Sequence, residues 1–265
     1  MDTHDTPGGH DAAGGHDTPG GHAAAGIHPA PEIAAQPSAK RVTNRWPFIS
    51  GLVALVLTFG LGALIVMRDK GLPLKVDVEW MQELIEHRAP IWKSLALVMD
   101  TLGGGVVAIF VLPVLIIIAL LLVKRPWAAG YYLVATVVTG GLVQLLKHLF
   151  GRARPENILS NLDFGSFPSG HVGNAAVMAV IMAILFPRLW VWLAGSVWVV
   201  LMMLSRTYLG AHWLSDTVGG LLLGVGVAIV VWAPLAAKVD GEHNLAPDHP
   251  LAEVRKRRTI SGKRD

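Results

Sequence analysis

The chain has no cysteine at all and little charge. Over 265 residues the missing cysteine excludes disulfides, thiolate metal sites and a cysteine nucleophile, so any catalysis must come from oxygen and nitrogen groups. Charged residues make up 15% of the chain, against about 25% in a typical soluble domain, while hydrophobic residues reach 52%. That is more apolar material than one compact core hides, and the chain needs lipid around it. The formal net charge is only +3, and four consecutive basic residues, Arg255, Lys256, Arg257 and Arg258, sit near the C-terminus. Basic residues are not spread through a folded domain, which excludes a nucleic-acid footprint.

What is present divides the chain into three. Residues 1–39 repeat a six-residue unit from His4, His10 and His16, with weaker copies from His22 and His28. Gly and Pro at this density oppose helix formation, and the predicted domain map is a disordered His/Gly/Pro-rich tail over 1–45, a membrane domain over 46–237 and a basic cytoplasmic tail over 238–265. The first segment lacks the basic and apolar regions of a signal peptide. Its evenly spaced histidines can collect a divalent metal, although the composition reads first as a solvated tail. From Trp46 six uncharged stretches follow: 46–67, 101–123, 126–146, 172–187, 189–205 and 217–237. A helix needs about 20 residues to cross hydrocarbon. The fourth and fifth are short, and reach that length if the fourth begins near Ser169 and Pro187 and Arg188 form a tight hairpin. The predicted fold is therefore all-α, a bundle of six transmembrane helices. Residues 68–93, with Trp80, Met81, Leu84 and Ile85 among alternating charges, predict a short amphipathic helix on the interface.

Titratable residues at membrane boundaries are expensive, and here they gather in three clusters on one predicted side. Lys147, Arg152, Arg154 and Pro155 end the third span. Pro168, Ser169, Gly170 and His171 open the fourth. Ser205, Arg206, His212 and Asp216 join the fifth and sixth. Taken singly, each basic residue reads as a side chain snorkelling to lipid headgroups. Together they suit a phosphate. Lys147, Arg154 and Arg206 can neutralise a phosphoryl group, the arginines bidentately. Ser169 and Gly170, at a helix start, can direct backbone N–H groups at its oxygens. His212 and Asp216 stand four apart, which stacks them on one face if that helix has begun; a carboxylate on one ring nitrogen leaves the other as nucleophile. His171 is then the general acid and base. Asp100 and Asp163 look isolated, so no carboxylate cluster for a metal is expected, and no cofactor.

These clusters resemble the three signature motifs of the type 2 phosphatidic acid phosphatase superfamily: K-x6-RP, PSGH and SR-x5-H-x3-D, carried here without a mismatch by Lys147 to Pro155, Pro168 to His171 and Ser205 to Asp216. The neighbouring words Phe150-Gly151-Arg152, Ser166-Phe167 and Tyr208-Leu209-Gly210 resemble the family as well. The resemblance covers 46–237. It implies a six-helix membrane bundle whose site faces outside the cytoplasm, with His212 attacking phosphorus, Asp216 orienting it and His171 handling protons. Lys147, Arg154, Arg206, Ser169 and Gly170 would hold phosphoryl oxygens, with Arg152 as a helper or a headgroup contact.

The expected protein is thus an integral membrane lipid phosphatase of a bacterial-type cell membrane, independent of metal, with the bilayer and a lipid phosphate as its partners. Lys and Arg number 13 on the side of the termini and 9 on the other, which favours cytoplasmic termini and an extracytoplasmic site. A phospholipid monoester, phosphatidic acid or phosphatidylglycerol phosphate, is the first substrate expected and a polyprenyl diphosphate the second. A lipid phosphotransferase and an anion transporter are the rivals of other classes. The motifs also resemble vanadium haloperoxidases, which six membrane spans argue against.

Overall fold

In the computed structural model residues 38–69, 72–156, 159 and 164–245 are described, and every regular element among them is helical. The histidine repeats, Asp163 and the basic run from Arg255 lie outside the described residues. The helices are α1 (Ser38–Asp69), α2 (Lys75–Glu86), α3 (Pro90–Gly103), α4 (Leu112–Leu122), α5 (Pro126–Phe150), α6 (Gly170–Leu185), α7 (Leu189–Tyr208) and α8 (Leu214–Leu245), with a π-helical turn at Val107–Val111 before α4.

Four helical segments are long and apolar enough to cross a membrane: Arg45–Arg68, Pro126–Phe150, Leu189–Tyr208 and Leu214–Glu242. A fifth is made by α3 and α4 if that bent pair is one span. α6 has 16 residues, about 24 Å of helix, which is short of the roughly 30 Å of hydrocarbon. As expected, it begins at Gly170 and turns into α7 through Phe186, Pro187 and Arg188. Large apolar side chains such as Val56, Phe110, Leu122, Leu145, Trp190 and Leu193 face outward. On a soluble protein so much exposed hydrocarbon would aggregate; on a membrane protein it is the lipid-facing surface.

One expectation is corrected. The stretch 101–123 is not one straight span. Pro90, at the first turn of α3, starts the helix eleven residues earlier, since the ring fixes a helical φ and its missing N–H has no intrahelical role there. The helix then breaks at Gly104 and Gly105, and α3 and α4 meet at 41°. In the region 68–93, α2 turns Met81 and Asp77 fully inward, with Trp80, Leu84 and Ile85 half-buried. Its apolar face packs against protein.

α6 lies at the centre. On one side Val177 and Ile181 join Tyr131 of α5 and Leu223 and Val227 of α8 in the main core. On the other, Val172 and Ala176 meet Met99 of α3 and Val199 and Met202 of α7. The buried Tyr131 hydroxyl donates to Ala228 O at 2.9 Å, which satisfies its polar end inside the core. Close approach of α6 and α8 depends on two glycines. A Cβ on Gly220 would lie 2.5 Å from Ser169 O, and one on Gly224 would lie 2.4 Å from Gly173 O. Small residues at this spacing let helix backbones touch where no hydrophobic effect drives them together. The contact sets the start of α6 beside the start of α8.

Gly224→Val should therefore cost about 1–3 kcal/mol or more through overpacking, read as a lower melting temperature in detergent. Gly140→Ala, at a position where an added Cβ meets nothing within 4 Å, should melt at or slightly above the parent temperature. Equal melting of all three proteins would show that this helix contact does not hold the bundle.

Candidate active site

The three clusters converge at one end of the bundle. α5 delivers Lys147, buried in its last turn. Gly151 then takes a left-handed conformation, φ +52°, and its N–H donates to Lys147 O at 2.9 Å. This is a glycine helix stop, and it turns Arg152 and Arg154 back over the helix end. α6 begins with Ser169 as N-cap, and α7 brings Arg206 in its last turn. His212 and Asp216 flank the start of α8.

Burial is the principal electrostatic fact about His212. Its ring is 2% exposed. Removal from water holds its pKa well below the usual histidine value of 6.5, and the charges of Arg206, Arg154, Lys147 and His171 push in the same direction. The imidazole is neutral at neutral pH. Nδ1 lies 2.7 Å from Ser166 O; a carbonyl only accepts, so Nδ1 carries the proton and donates it there. Nε2 is left with a lone pair, 3.5 Å from the Arg154 guanidinium, which itself donates to Ala211 O at 2.7 Å. A neutral, oriented nitrogen beside an arginine has the features that a nucleophile requires.

The helical stacking expected for His212 and Asp216 is not found. α8 begins at Leu214, after His212, and Asp216 Oδ2 stands 3.6 Å from Nδ1. The backbone carbonyl of Ser166 takes the orienting role first, and the carboxylate lies behind it. Asp216 instead organises the helix start. Its Oδ2 accepts the Trp213 N–H at 2.9 Å, the N3 half of a capping box, and its own carbonyl accepts the Ser169 N–H at 3.0 Å. One residue thereby ties α8 to the N-cap of α6.

Arg152 is a fully buried side chain, not a headgroup contact. It donates to Asp216 Oδ1 at 2.5 Å, to Asp77 Oδ2 at 2.7 Å and to Ser215 Oγ at 2.8 Å. Asp77, on α2, also accepts the Ser215 N–H at 2.8 Å and the Ser215 hydroxyl at 2.7 Å, which puts an anion at the positive end of α8. Asp77 is one of several acids in a charged stretch, 75 residues from Arg152, so composition does not single it out; an aspartate at the third position of a helix is its one local signal. Asp100 is likewise not isolated. It pairs with His171 Nε2 at 3.1 Å and with Arg206. Ser205 is structural: its hydroxyl donates to Ala96 O at 2.8 Å and pins α7 to α3.

Ser169 is completely buried, and its hydroxyl has no hydrogen-bond partner among the described residues. A buried hydroxyl left unmade costs about 1–3 kcal/mol, and a phosphoryl oxygen would satisfy it. Gly170 follows at the helix start, where first-turn N–H groups favour anions. No cluster of three His, Asp or Glu side chains suited to a cation occurs among the described residues.

The sequence model of the PAP2 superfamily matches residues 128–239. The lipid A 1-phosphatase of Rhizobium etli is 34% identical over 140 residues, 48% of this chain and 59% of that protein. The undecaprenyl-diphosphatase of Sulfolobus acidocaldarius is 32% identical over 120 residues, 42% of this chain and 57% of that protein. Both alignments span less than two thirds of the relative's length. A crystal structure of a transmembrane PAP2 type phosphatidylglycerolphosphate phosphatase from Bacillus subtilis superposes with a TM-score of 0.59 at 26% identity, over 69% of this chain and 94% of that one.

Removing the guanidinium from the buried acid pair should unfold the site. Arg152→Leu should lose about 3–5 kcal/mol, because two carboxylates are left without their shared cation, whereas Ser205→Ala should lose about 1 kcal/mol for one hydrogen bond. Thermal unfolding of the two purified variants measures this; an Arg152→Leu protein as stable as Ser205→Ala would contradict it.

Proposed function

We propose that this chain, whose residues 128–239 belong to the PAP2 superfamily, is an integral membrane phosphatase that removes the terminal phosphate of a membrane lipid through a phosphohistidine. The observation that carries the reading is the surround of His212: a neutral nitrogen oriented by Ser166 O, on which the charges of Arg206, Arg154 and Lys147 bear together, with the Ser169 hydroxyl buried at the start of α6 and without a hydrogen-bond partner among the described residues.

In the mechanism, Arg154, Arg206 and Lys147 neutralise the phosphoryl oxygens, with Ser169 and the first N–H groups of α6 completing the cradle. His212 Nε2 attacks phosphorus, and the positive charge that develops on its ring is stabilised by Ser166 O on Nδ1 and by Asp216 behind it. His171 gives a proton to the departing lipid oxygen, then takes one from the water that attacks the phosphohistidine. Fixed cations fill the electrostatic role, and no step requires a metal.

Six membrane passages follow if α6 counts as a span and α3 with α4 as another. Both termini then lie on one side and the site on the other; the larger number of Lys and Arg on the side of the termini favours cytoplasmic termini and an extracytoplasmic site, with α2 at the interface. A site at a membrane boundary suits a substrate whose headgroup lies at the surface while its tails stay in hydrocarbon. A phospholipid monoester of the phosphatidic acid or phosphatidylglycerol phosphate type is the first substrate, in line with the Bacillus structure. A polyprenyl diphosphate is the second, favoured by the Sulfolobus relative.

Phosphate release from a panel of purified lipid phosphates in detergent tests the reading. Turnover of at least one lipid should survive a chelator, Arg206→Lys should lose activity because a point charge does not replace a bidentate fork, and His212→Ala should lose it entirely. The sign of the pH dependence is set by the depressed pKa of His212: the ring is active when neutral, so kcat/KM should not fall through its protonation until well below pH 6.5. No release from any lipid, or full dependence on added magnesium, would overturn the proposal.

A further inference from the structure

The pairing of Asp100, on α3, has no counterpart in the three motifs. Its Oδ1 lies 3.1 Å from His171 Nε2 and also accepts from Arg206. It is therefore one carboxylate oxygen shared by the proton-handling histidine and a phosphate-binding arginine. Both partners are remote in sequence, 71 and 106 residues away. Neither end of the His171 pair is sealed: the His171 side chain is 22% exposed and that of Asp100 27%, so protons can reach it. The backbone is shaped for the contact. Where α3 breaks, Gly104 has no side chain, and a Cβ there would stand 1.9 Å from His171 Nε2. The imidazole thus occupies the space that any other residue at 104 would fill, one turn beyond Asp100.

We infer that Asp100 is a positioning residue for the proposed reaction, fixing His171 by its Nε2 so that Nδ1 carries the exchanged proton, and holding Arg206 in register with it. The inference rests on the phosphatase reading above. In the first half-reaction the bond from His212 Nε2 to phosphorus forms as the bond from phosphorus to the lipid oxygen breaks, and that oxygen takes the Nδ1 proton of a protonated His171. In the second, His171 Nδ1 takes a proton from water as its oxygen bonds phosphorus and the bond from phosphorus to His212 breaks. Throughout, Nε2–H stays on Asp100, whose negative charge stabilises the imidazolium. This is the carboxylate–histidine arrangement known from hydrolytic triads, applied here to the acid instead of the nucleophile.

The test uses the full chain in detergent and two substrates, the best lipid phosphate and p-nitrophenyl phosphate, with leaving-group release read in single turnovers. An alkoxide needs a proton to depart and a nitrophenolate does not. Asp100→Asn should slow lipid release by about 100-fold or more, within the range of general acid catalysis, but nitrophenolate release by less than about tenfold. Asp100→Glu should recover part of the lipid rate. In a His171→Ala background, Asp100→Asn should add little further loss. Gly104→Ala, made independently, should show the same preference for the aryl substrate. Equal slowing of both substrates, a full additional loss in the His171→Ala background, or wild-type rates in Asp100→Asn would each overturn the inference. A wild-type protein that releases phosphate from neither substrate would instead refute the phosphatase reading itself.

Discussion

The buried ion pair between Arg152 and Asp216, 2.5 Å apart with neither side chain exposed, is the constraint on which the rest of the site depends. Asp216 stands in the first turn of α8, beside His212, and receives the N-cap of α6 on its carbonyl. Arg152 leaves α5 past the glycine stop and reaches Asp77 on α2. Charge thereby fixes the start of α2 and the loop after α5 to the ends of α6 and α8, above the hydrophobic core that α5, α6 and α8 share. Isolated buried charges would not survive the loss of solvation. Here each carboxylate is also hydrogen-bonded by backbone or hydroxyl groups, so the network is held at several points.

That arrangement separates two duties often assigned to a single acid. Ser166 O sets the tautomer of His212 at 2.7 Å, whereas Asp216 is spent mainly on geometry and on the field behind the ring. The consequence is an imidazole whose neutrality comes from burial and from surrounding cations. The same cations that keep it unprotonated are those that would draw in an anionic phosphate, so the empty and loaded sites ask for one charge pattern. The glycines of α8 serve the same end, since close contact between the α6 and α8 backbones keeps the N-cap of α6 within reach of the Asp216 carbonyl.

Much of this was readable from the residues. Apolar runs located α1, α5, α7 and α8, and the motif spacings named Lys147, Arg154, Ser169, His171, Arg206, His212 and Asp216, which the fold brings together. What escaped the sequence has separate causes. Asp77 and Asp100 each act through a partner more than 70 residues away, and a lone aspartate carries no local pattern. The bend at Gly104 was hidden because the apolar run continues across it, so hydropathy alone joined two helices into one. Whether His212 lies on a helix was left open by its spacing from Asp216, since four residues fit a turn as well as a helix, and α8 starts two residues after it.

The central claim is that His212 forms a bond to phosphorus. The most direct measurement is a rapid acid-free quench of the protein with a 32P-labelled lipid phosphate, followed by mapping of the label. The account predicts transient label on His212, stable in alkali and lost in acid as expected of a phosphoramidate, and absent from His212→Ala. Label on any other residue, or undiminished phosphate release by His212→Ala, would contradict it.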